Sequence, residues 1–587
     1  MSVSTGDIVS RVYGNFRGVD FRGEEINLSR SPDSLNVWKD YRYTDSIRTR
    51  PGVAHLRHIG IINGISFYKG YMMVHDLRTL YKVSDRDEWV KLSEECSANK
   101  SYTFVYNGVW YFLDGVHYWQ YDGTTLKDVE GYIPTTSIGR KPNGGGTAHE
   151  DVNMLTPYRI NTFLTDGESC DFYLDTKDID TDYFPDITLN GTHYGQDTGK
   201  MVVAYNQGKL TFHNAPPAPK TDGQDNLIIK FKKTVPGYRE NITNCTQIQV
   251  FDNRVFFSGN PDYPNYVWHC SLDNPAYCSD LDYYREGMDS AKIKGMVAGN
   301  NALWVFREPS EANTNVFYHT PTIDADYGKI YPSSHSSISL GCTGKAINFN
   351  DDIVFFSERG MEGISGDVTT EQVAAHRSSL VDRKLIAEED YANMILEEWE
   401  GYLLVIIGNK IYLADSRAVF TNENHIEYEW FYWELPKMHV RCSRVYNGTL
   451  YLGTDVGIYT VSSKTDEGGE YTVLTDTAIN TTTIDSTTVD IESYWVTPKD
   501  KFKVPHKLKT TNKRGCVAEA EGDIAVYAKT EDTDFELIGA FEGVEDAFVC
   551  RIKRKKFKDI QLKFYSNTRF SLETATLECF IGGYIKR

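Results

Sequence analysis

Six aspartates occupy one short stretch of the chain and raise the question of carboxylate chemistry. Glycoside hydrolysis needs two carboxyl groups at a fixed separation in a cleft, one acting as an acid and the other as a base or nucleophile. An acidic, solvated loop has the same composition, and the sequence leaves both interpretations open. The aspartates are Asp171, Asp175, Asp178, Asp180, Asp182 and Asp186.

Two other segments come close to known sites but lack a required residue. Residues 339–346 are similar to a phosphate-binding loop, yet Ser339 stands where that loop needs glycine and Ala346 where it needs Ser or Thr. His55 and His58 lie three residues apart, without a third ligand or a general base at zincin spacing. We therefore predict no catalytic residue, no cofactor and no metal, and we expect that the chain is not an enzyme.

A repeated hairpin pattern indicates the structural elements that would hold the side chains of any functional site. Each repeat places an Asn-Gly, Asp-Asn, Glu-Gly or similar pair between two short strands, and such residues tolerate the positive φ of tight hairpin turns. The repeats begin at 68, 106, 251, 300, 350, 399 and 446, and the last four intervals are 49, 50, 49 and 47 residues. Short strands at a period of roughly 40–50 residues are typical of propeller blades.

The predicted fold class is all-β: a β-propeller with an inserted small β domain and a C-terminal β domain. The gap from 106 to 251 exceeds one period and contains the insertion, which opens with the glycine-rich Lys141–Gly146. We predict about six to seven blades. The predicted divisions are an N-terminal arm at 1–60, first blades at 61–130, the insertion at 131–243, remaining blades at 244–463 and a C-terminal β domain at 464–587.

The charge balance argues against a protein that wraps nucleic acid. The 62 Lys and Arg face 82 Asp and Glu, giving a formal net charge of −20, and such a chain repels phosphate. Residues 491–587 differ, because 18 basic against 15 acidic residues give +3 and leave −23 for the rest. The longest aliphatic run, 403–407, is too short to span a membrane. We therefore expect no membrane span and synthesis in the cytosol.

Several segments, in order along the chain, resemble the packaged-DNA stabilisation or tail-nozzle proteins of short-tailed bacteriophages. The opening has Gly18-Val19-Asp20-Phe21-Arg22 and Arg48-Thr49-Arg50-Pro51-Gly52-Val53, similar to the segments that precede the first blade in that family. Later segments that resemble the family are Tyr118–Gly123, the Asn260–Tyr263 loop and Tyr412–Asp415 followed by Trp430 and Trp433. The ending, Lys555–Arg587, is similar to the family's terminal β segment. The 131–243 insertion departs from the family pattern.

The resemblance implies a virion structural protein that is assembled in the host cytoplasm and forms a ring of six copies in the phage tail. Such a ring lies below the portal and adaptor proteins, retains packaged DNA and passes double-stranded DNA without sequence-specific binding. We expect the insertion to dock other tail proteins or fibres. Candidate adaptor or inter-subunit contacts are Arg48, Arg50, Lys553, Arg554, Lys555 and Lys556. The alternative is a receptor-binding or glycan-hydrolysing β-propeller at a tail tip.

Overall fold

The computed structural model of the chain consists almost entirely of β-strands. It describes residues 6–43, 46–56, 60–197, 199–312, 314–325, 328–366, 370–422, 425–467, 469–480, 485–552 and 556–584. None of the helices in these ranges is long and apolar enough to cross a membrane.

Short strands precede the first blade of the propeller and bring the chain to its first repeat. They are β1 Ile8–Tyr13, β2 Gly18–Val19, β3 Arg30–Ser31, β4 Ser34–Leu35, β5 Val37–Trp38, β6 Ile47–Thr49 and β7 Val53–His55. Blade one contains β8 Ile62–Tyr68, β9 Tyr71–Asp76, β10 Thr79–Val83 and β11 Trp89–Ser93. Blade two contains β12 Tyr102–Tyr106, β13 Val109–Leu113, β14 Tyr118–Tyr121 and β15 Leu126–Asp128.

The insertion follows blade two and forms two sheets of its own. Its strands are β16 Thr135–Arg140, β17 Thr147–Ala148, β18 Tyr158–Phe163, β19 Asp171–Tyr173, β20 Asp186–Leu189, β21 Thr192–Gly195, β22 Met201–Ala204, β23 Lys209–Phe212 and β24 Leu227–Lys232. The six-stranded sheet has the order β17-β16-β18-β24-β20-β21, and the three-stranded sheet has the order β19-β23-β22. Helix α1, Tyr238–Thr243, leads back to the blades.

Five further four-stranded sheets complete the series of blades. Blade three has β25 Gln247–Phe251, β26 Arg254–Ser258, β27 Tyr266–His269 and β28 Tyr283–Arg285. The strands that follow are β29 Ile293–Gly299, β30 Ala302–Arg307, β31 Val316–His319, β32 Thr322–Asp324, β33 Gly328–Ile330 and β34 Ser333–His335, of which β29, β30, β31 and β34 form blade four.

Blade five has β35 Ala346–Phe349, β36 Asp352–Ser357, β37 Gly360–Ser365 and β38 Val373–His376, followed by helix α2, Asp382–Leu385. Blade six has β39 Ile395–Trp399, β40 Tyr402–Ile407, β41 Lys410–Asn422 and β42 His425–Glu434. Blade seven has β43 Val440–Tyr446, β44 Thr449–Thr454, β45 Gly457–Ser462 and the early strand β7.

The C-terminal region adds long strands to the fold. They are β46 Asp476–Asn480, β47 Asp485–Val489, β48 Ser493–Val496, β49 Lys507–Thr530, β50 Glu536–Val544, β51 Ala547–Cys550, β52 Ile560–Ser566 and β53 Phe570–Tyr584. A ten-stranded sheet runs in the order β4-β48-β52-β49-β53-β6-β5, with β50 and β51 on β49 and β1 on β53. The fold class predicted from the sequence, an all-β propeller with additional β regions, is confirmed.

The turns that the repeats predicted have the expected backbone. The first turn residue has φ between 47° and 52° in every repeat, at Lys69, Asn107, Asp252, Asn300, Asn350, Glu400 and Asn447, and the second residue is also at positive φ. Two consecutive positive φ values define the hairpin turn whose twist matches that of the flanking strands. The local sequence therefore determines the first hairpin of each blade.

Replacing Gly448 with valine should lower the stability of blade seven. Gly448 has φ of +76°, and a Cβ added there would meet no atom within 4 Å, so the expected cost of about 1–2 kcal/mol is backbone strain alone. Chemical denaturation of the purified variant measures it. Gly23→Val is the matched control, because Gly23 has an ordinary φ and equally open surroundings. Equal stability of the two variants would contradict the turn assignment.

The chain divides into two compact units, and the first contains both termini. It comprises Met1–Lys91, Trp304–Val316 and His335–Arg587. In this unit β7 pairs antiparallel with β45, so residues that precede blade one complete blade seven. Ile62 and Val74 of blade one pack with Ile458 of blade seven in one buried cluster. The pairing of β7 in blade seven and the shared buried cluster hold the first and last blades together.

The second unit comprises Leu92–Leu303 and Phe317–Ser334. Its insertion has a hydrophobic core of its own, in which Phe163, Phe172 and Leu227 are fully buried. A different cluster joins blades two and three through Leu113, Tyr118 and other buried residues. The domain divisions proposed from the sequence remain predictions.

Candidate functional site

The N-terminal strand β1 lies at the edge of the ten-stranded sheet. It pairs with β53 in an antiparallel register from Ile8 with Phe580 to Tyr13 with Ala575. Among the described residues, β53 is its one strand neighbour. The arm predicted at 1–60 and the C-terminal domain predicted at 464–587 therefore contribute strands to one sheet. β-Pairing can join segments that are distant in sequence. The other edge of β1 carries backbone groups that can pair with a further strand.

The outward face of β1 carries two exposed apolar side chains, Ile8 and Val12, with Ser10 between them. Ile8 is 61% exposed and Val12 is 59% exposed, and Phe580, the register partner of Ile8, is 43% exposed. Side chains alternate along a strand, so the inward face carries Tyr13, which is buried and donates a hydrogen bond to Asp500. We call Ile8, Val12 and Phe580 the β1 patch. An open edge beside exposed apolar side chains is suited to strand addition by another chain.

The segments that carry the family resemblance attach the N-terminal region to the body of the first unit. A side chain at Gly18 would collide with the backbone oxygen of Trp430 in blade six, and one at Gly52 would collide with that of Thr475. Only glycine permits such a close backbone approach. Arg30 forms two hydrogen bonds of 2.7 and 2.8 Å to the buried carboxylate of Glu429. These residues have a local structural role.

The structure corrects one of the predicted contact residues. The side chain of Arg50 is 1% exposed and is paired with Asp476, so it is an internal residue of the first unit rather than a surface contact. Its guanidinium also donates to Asn36 at 2.9 Å and to backbone oxygens. The physical reason is that the ion pair and the hydrogen bonds to these internal acceptors hold the guanidinium inside the fold.

The other predicted contacts have different settings. Arg48 is partly buried, and its guanidinium lies 3.5 Å from the ring centroid of Tyr43. Lys556 is exposed. Lys553, Arg554 and Lys555 lie outside the described residues, as does His58. The role of Arg48 and the basic run as contacts remains a prediction.

The aspartates of the insertion act in local ion pairs and hydrogen bonds. Asp171 accepts from Thr211 and Lys209, and Asp180 accepts from Thr234. Lys232 contacts both Asp180 and Asp182. Hydrogen bonds lower the pKa of Asp171 and, against the effect of burial, that of Asp180, which favours the carboxylate form. These contacts favour the interpretation of a solvated, structural acidic segment.

A second group of carboxylates, in blade three and its surroundings, has the opposite electrostatics. Burial raises the pKa of Asp282 to about 6, with further contributions from the charges of Asp151 and Asp280 and an opposing one from Arg254. Burial likewise raises the pKa of Asp280, although Tyr238 donates a hydrogen bond of 2.9 Å to it. A carboxyl group with a pKa near 6 can act as a proton donor at mildly acidic pH. No sequence motif pointed to these residues.

His376 lies at the centre of a separate polar cluster in the first unit. Its Nδ1 is 3.1 Å from Glu362 and its Nε2 is 2.5 Å from Asp382, whose other oxygen accepts from Ser378 at 2.6 Å. Burial alone would lower the pKa of His376, but the hydrogen bonds that its ring donates to Asp382 and Glu362 raise it to about 10. Both ring nitrogens are occupied, so the imidazolium stabilises structure. No set of three or more potential ligands for a metal ion occurs in the described ranges.

The charge of His376 should make stability depend on pH. Because its folded pKa lies above the unfolded value of about 6.5, its stabilising effect is complete below pH 6.5 and is lost as the pH rises towards 10. We expect His376→Gln to lower the melting temperature at pH 6, with a difference from wild type that shrinks towards pH 10. A difference that is constant over this range would contradict the charged assignment. His425→Gln, at a partly buried position on β42, serves as the control.

Known proteins that are similar to this chain are found among solved structures, at low identity. No known family profile matches the chain, and no curated protein sequence matches it. A streptogramin B lyase structure has 13% identity and a TM-score of 0.27, covering 70% of this chain and 96% of that one. An exo-β-1,3-galactanase from Phanerochaete chrysosporium has 10% identity and a TM-score of 0.22, covering 56% and 94%. A glycoside hydrolase has 9% identity and a TM-score of 0.20, covering 89% and 99%.

These comparisons correct the expectation that the chain is not an enzyme. The similar structures include a lyase, a galactanase and a glycoside hydrolase, so the expectation is not upheld. Its basis was the lack of a catalytic motif in the sequence, and that basis fails because carboxyl groups such as those of Asp280 and Asp282 acquire unusual pKa values only through folding. At this level of identity no residue role is transferred from these proteins.

Proposed function

We propose that the chain is a virion protein of a bacteriophage tail that assembles into a ring through the β1 patch. The ring would lie below the portal and adaptor proteins, retain packaged DNA and let double-stranded DNA pass during ejection. The observation that carries this proposal is the open edge of β1 beside exposed Ile8 and Val12. The resemblance in the N-terminal and C-terminal segments, which meet in the ten-stranded sheet, supports the phage assignment.

The charge distribution favours a second copy of the chain as the occupant of this surface. Residues 491–587 carry +3, whereas the remainder carries −23. The C-terminal region of one copy is therefore electrostatically complementary to the acidic remainder of the next. A contact between two different surfaces of identical chains is heterologous, and such contacts close into rings when the rotation permits.

The experiment compares the wild type with the double variant Ile8→Lys, Val12→Lys. We expect wild-type particles at one multiple of 66.8 kDa by mass photometry and rings by electron microscopy. The double variant should dissociate to the single-chain mass, because lysine on an exposed edge opposes strand addition.

The matched control is Met288→Lys, at a position that is 89% exposed and belongs to the second unit. It should assemble as the wild type does. Matching circular-dichroism spectra for all three proteins would show that the substitutions act on assembly rather than folding. Assembly of the double variant with the wild-type mass would refute the role of the β1 patch.

A second candidate function, a glycan-hydrolysing or receptor-binding propeller at a tail tip, is favoured by the raised pKa of Asp282. Asp282 is the candidate proton donor, and burial raises its pKa, with the charge of Arg254 opposing this effect and those of Asp151 and Asp280 adding to it. Incubation with host cell-wall polysaccharides, followed by measurement of new reducing ends, tests hydrolysis. Asp282→Asn should abolish it, with Asp262→Asn at an exposed loop position as the control. No reducing ends with any host polysaccharide would remove this candidate.

A further inference from the structure

A cleft of about 240 Å³ lies in the second unit, where the insertion joins blade three. Residues 152–159 form one wall, and residues 233–240, which include the start of helix α1, form the other. Apolar surface comes from Val152, Leu155 and Pro157. The cleft is a feature of the second unit alone, and neither the proposed ring nor the carboxyl groups of Asp280 and Asp282 account for it.

Arg159 lines this cleft and is the residue that makes it unusual. It lies on β18 and is only 9% exposed. Its Nε is buried without a hydrogen-bond partner, and its guanidinium forms neither a hydrogen bond nor an ion pair with any described residue. Burying an unpaired charge is costly, and arginine is rarely buried without an acceptor. An acceptor from outside the chain would remove this cost.

The neighbouring cationic and hydroxyl groups are already engaged. Arg239 donates to the backbone oxygen of Leu155 at 2.8 Å, and Lys233 donates to that of Asp178 at 2.6 Å. Tyr238 donates to Asp280. The cation available to a ligand in this cleft is therefore the Arg159 guanidinium.

Nearby carboxylates compensate for the charge of Arg159 only at a distance. Burial lowers the pKa of its guanidinium, and the charges of Asp175 and Asp280 oppose this effect without forming an ion pair. Asp175 instead accepts a hydrogen bond from Thr136 and its backbone N–H donates to Asn161. The carboxylate of Asp280 accepts from Tyr238. The N–H donors of the Arg159 guanidinium thus remain available for a ligand.

We propose that this cleft binds the oxyanion group of a small ligand, with Arg159 forming a bidentate pair to it. The planar guanidinium matches the geometry of a carboxylate or a phosphate, and its charge makes such hydrogen bonds strong. The cleft is smaller than the roughly 300–1,000 Å³ that hold drug-sized ligands, so a single acidic sugar or a phosphate group suits it. Carboxylate and phosphate share this chemistry.

The test measures binding of glucuronate and of inorganic phosphate to the full chain by isothermal titration calorimetry. Uncharged glucose serves as a ligand control. We expect at least one of the two anions to bind, and glucose not to bind. Binding of glucuronate alone would identify an acidic sugar, and binding of phosphate alone would identify a phosphate group. Failure of both anions to bind would overturn the proposal.

Two variants separate binding from folding. Arg159→Met should weaken anion binding at least tenfold and raise the melting temperature, because it removes an unpaired buried charge. Arg159→Lys retains the charge without the planar fork and should bind with intermediate affinity. Arg285→Met, at an exposed position of the same unit, changes the net charge equally and should bind as the wild type does. Wild-type affinity in Arg159→Met would also overturn the proposal.

Discussion

Replacing Asp476 with alanine is expected to lower the free energy of unfolding by about 3–5 kcal/mol, because it leaves the buried guanidinium of Arg50 without its counter-charge. The side chains are 1% and 5% exposed, and Arg50 Nη1 lies 2.8 Å from Asp476 Oδ1. The same oxygen accepts from the backbone N–H of Val53, the first residue of β7. The substitution should therefore also loosen the strand that completes blade seven. Chemical denaturation, with hydrogen exchange at residues 53–55, measures both effects.

An exposed ion pair provides the contrast. Lys127 and Glu130 lie 3.0 Å apart, and their side chains are 43% and 74% exposed. Such pairs contribute roughly 0–1 kcal/mol, so Glu130→Ala should have little effect. If Asp476→Ala and Glu130→Ala cost equally little, the role given to the Arg50 pair would be wrong.

Replacing Trp38 with alanine is expected to cost a similar amount, about 3–5 kcal/mol. Its indole stacks on Trp399 with centroids 5.4 Å apart and meets Trp433 edge-on at 5.6 Å. Its Nε1 donates to the hydroxyl of Tyr471 at 3.1 Å. Because Trp38 lies on β5 and both tryptophan partners lie in blade six, the substitution removes contacts between the N-terminal segment and the propeller. Denaturation midpoints measure the loss.

Two further variants locate the source of that effect. Trp38→Phe keeps an aromatic ring but loses the hydrogen bond, and it should be intermediate. Trp89→Ala, at a partly exposed position of blade one, should cost clearly less. A Trp38→Ala protein as stable as Trp89→Ala would contradict the packing described for β5.

Local sequence determines the parts of the fold that depend on neighbouring residues. The turns at Asn107-Gly108 and Asn447-Gly448 require residues that accept positive φ, and this requirement makes the blade repeat recognisable in the amino-acid sequence. The length of the gap after the second repeat likewise locates the insertion. These features can be predicted because a turn and its two strands are adjacent in the chain.

Contacts between distant segments cannot be predicted in the same way. The pairing of β1 with β53 and of β7 with β45 joins residues hundreds of positions apart, and nothing in the local pattern of either strand specifies its partner. The same applies to Asp282 and Arg159, whose properties come from burial. Arg50 shows the converse error, since a basic residue in a polar segment is expected at the surface and this one is internal.

In the proposed ring, a second copy of the chain covers the β1 patch. The most direct measurement places a photo-reactive amino acid at position 12 of the full-length protein and identifies the cross-linked products by mass spectrometry. We predict covalent dimers and larger multimers joined through position 12, and none from the same group at position 288. Cross-links within single chains alone, at protein concentrations where particles form, would contradict it.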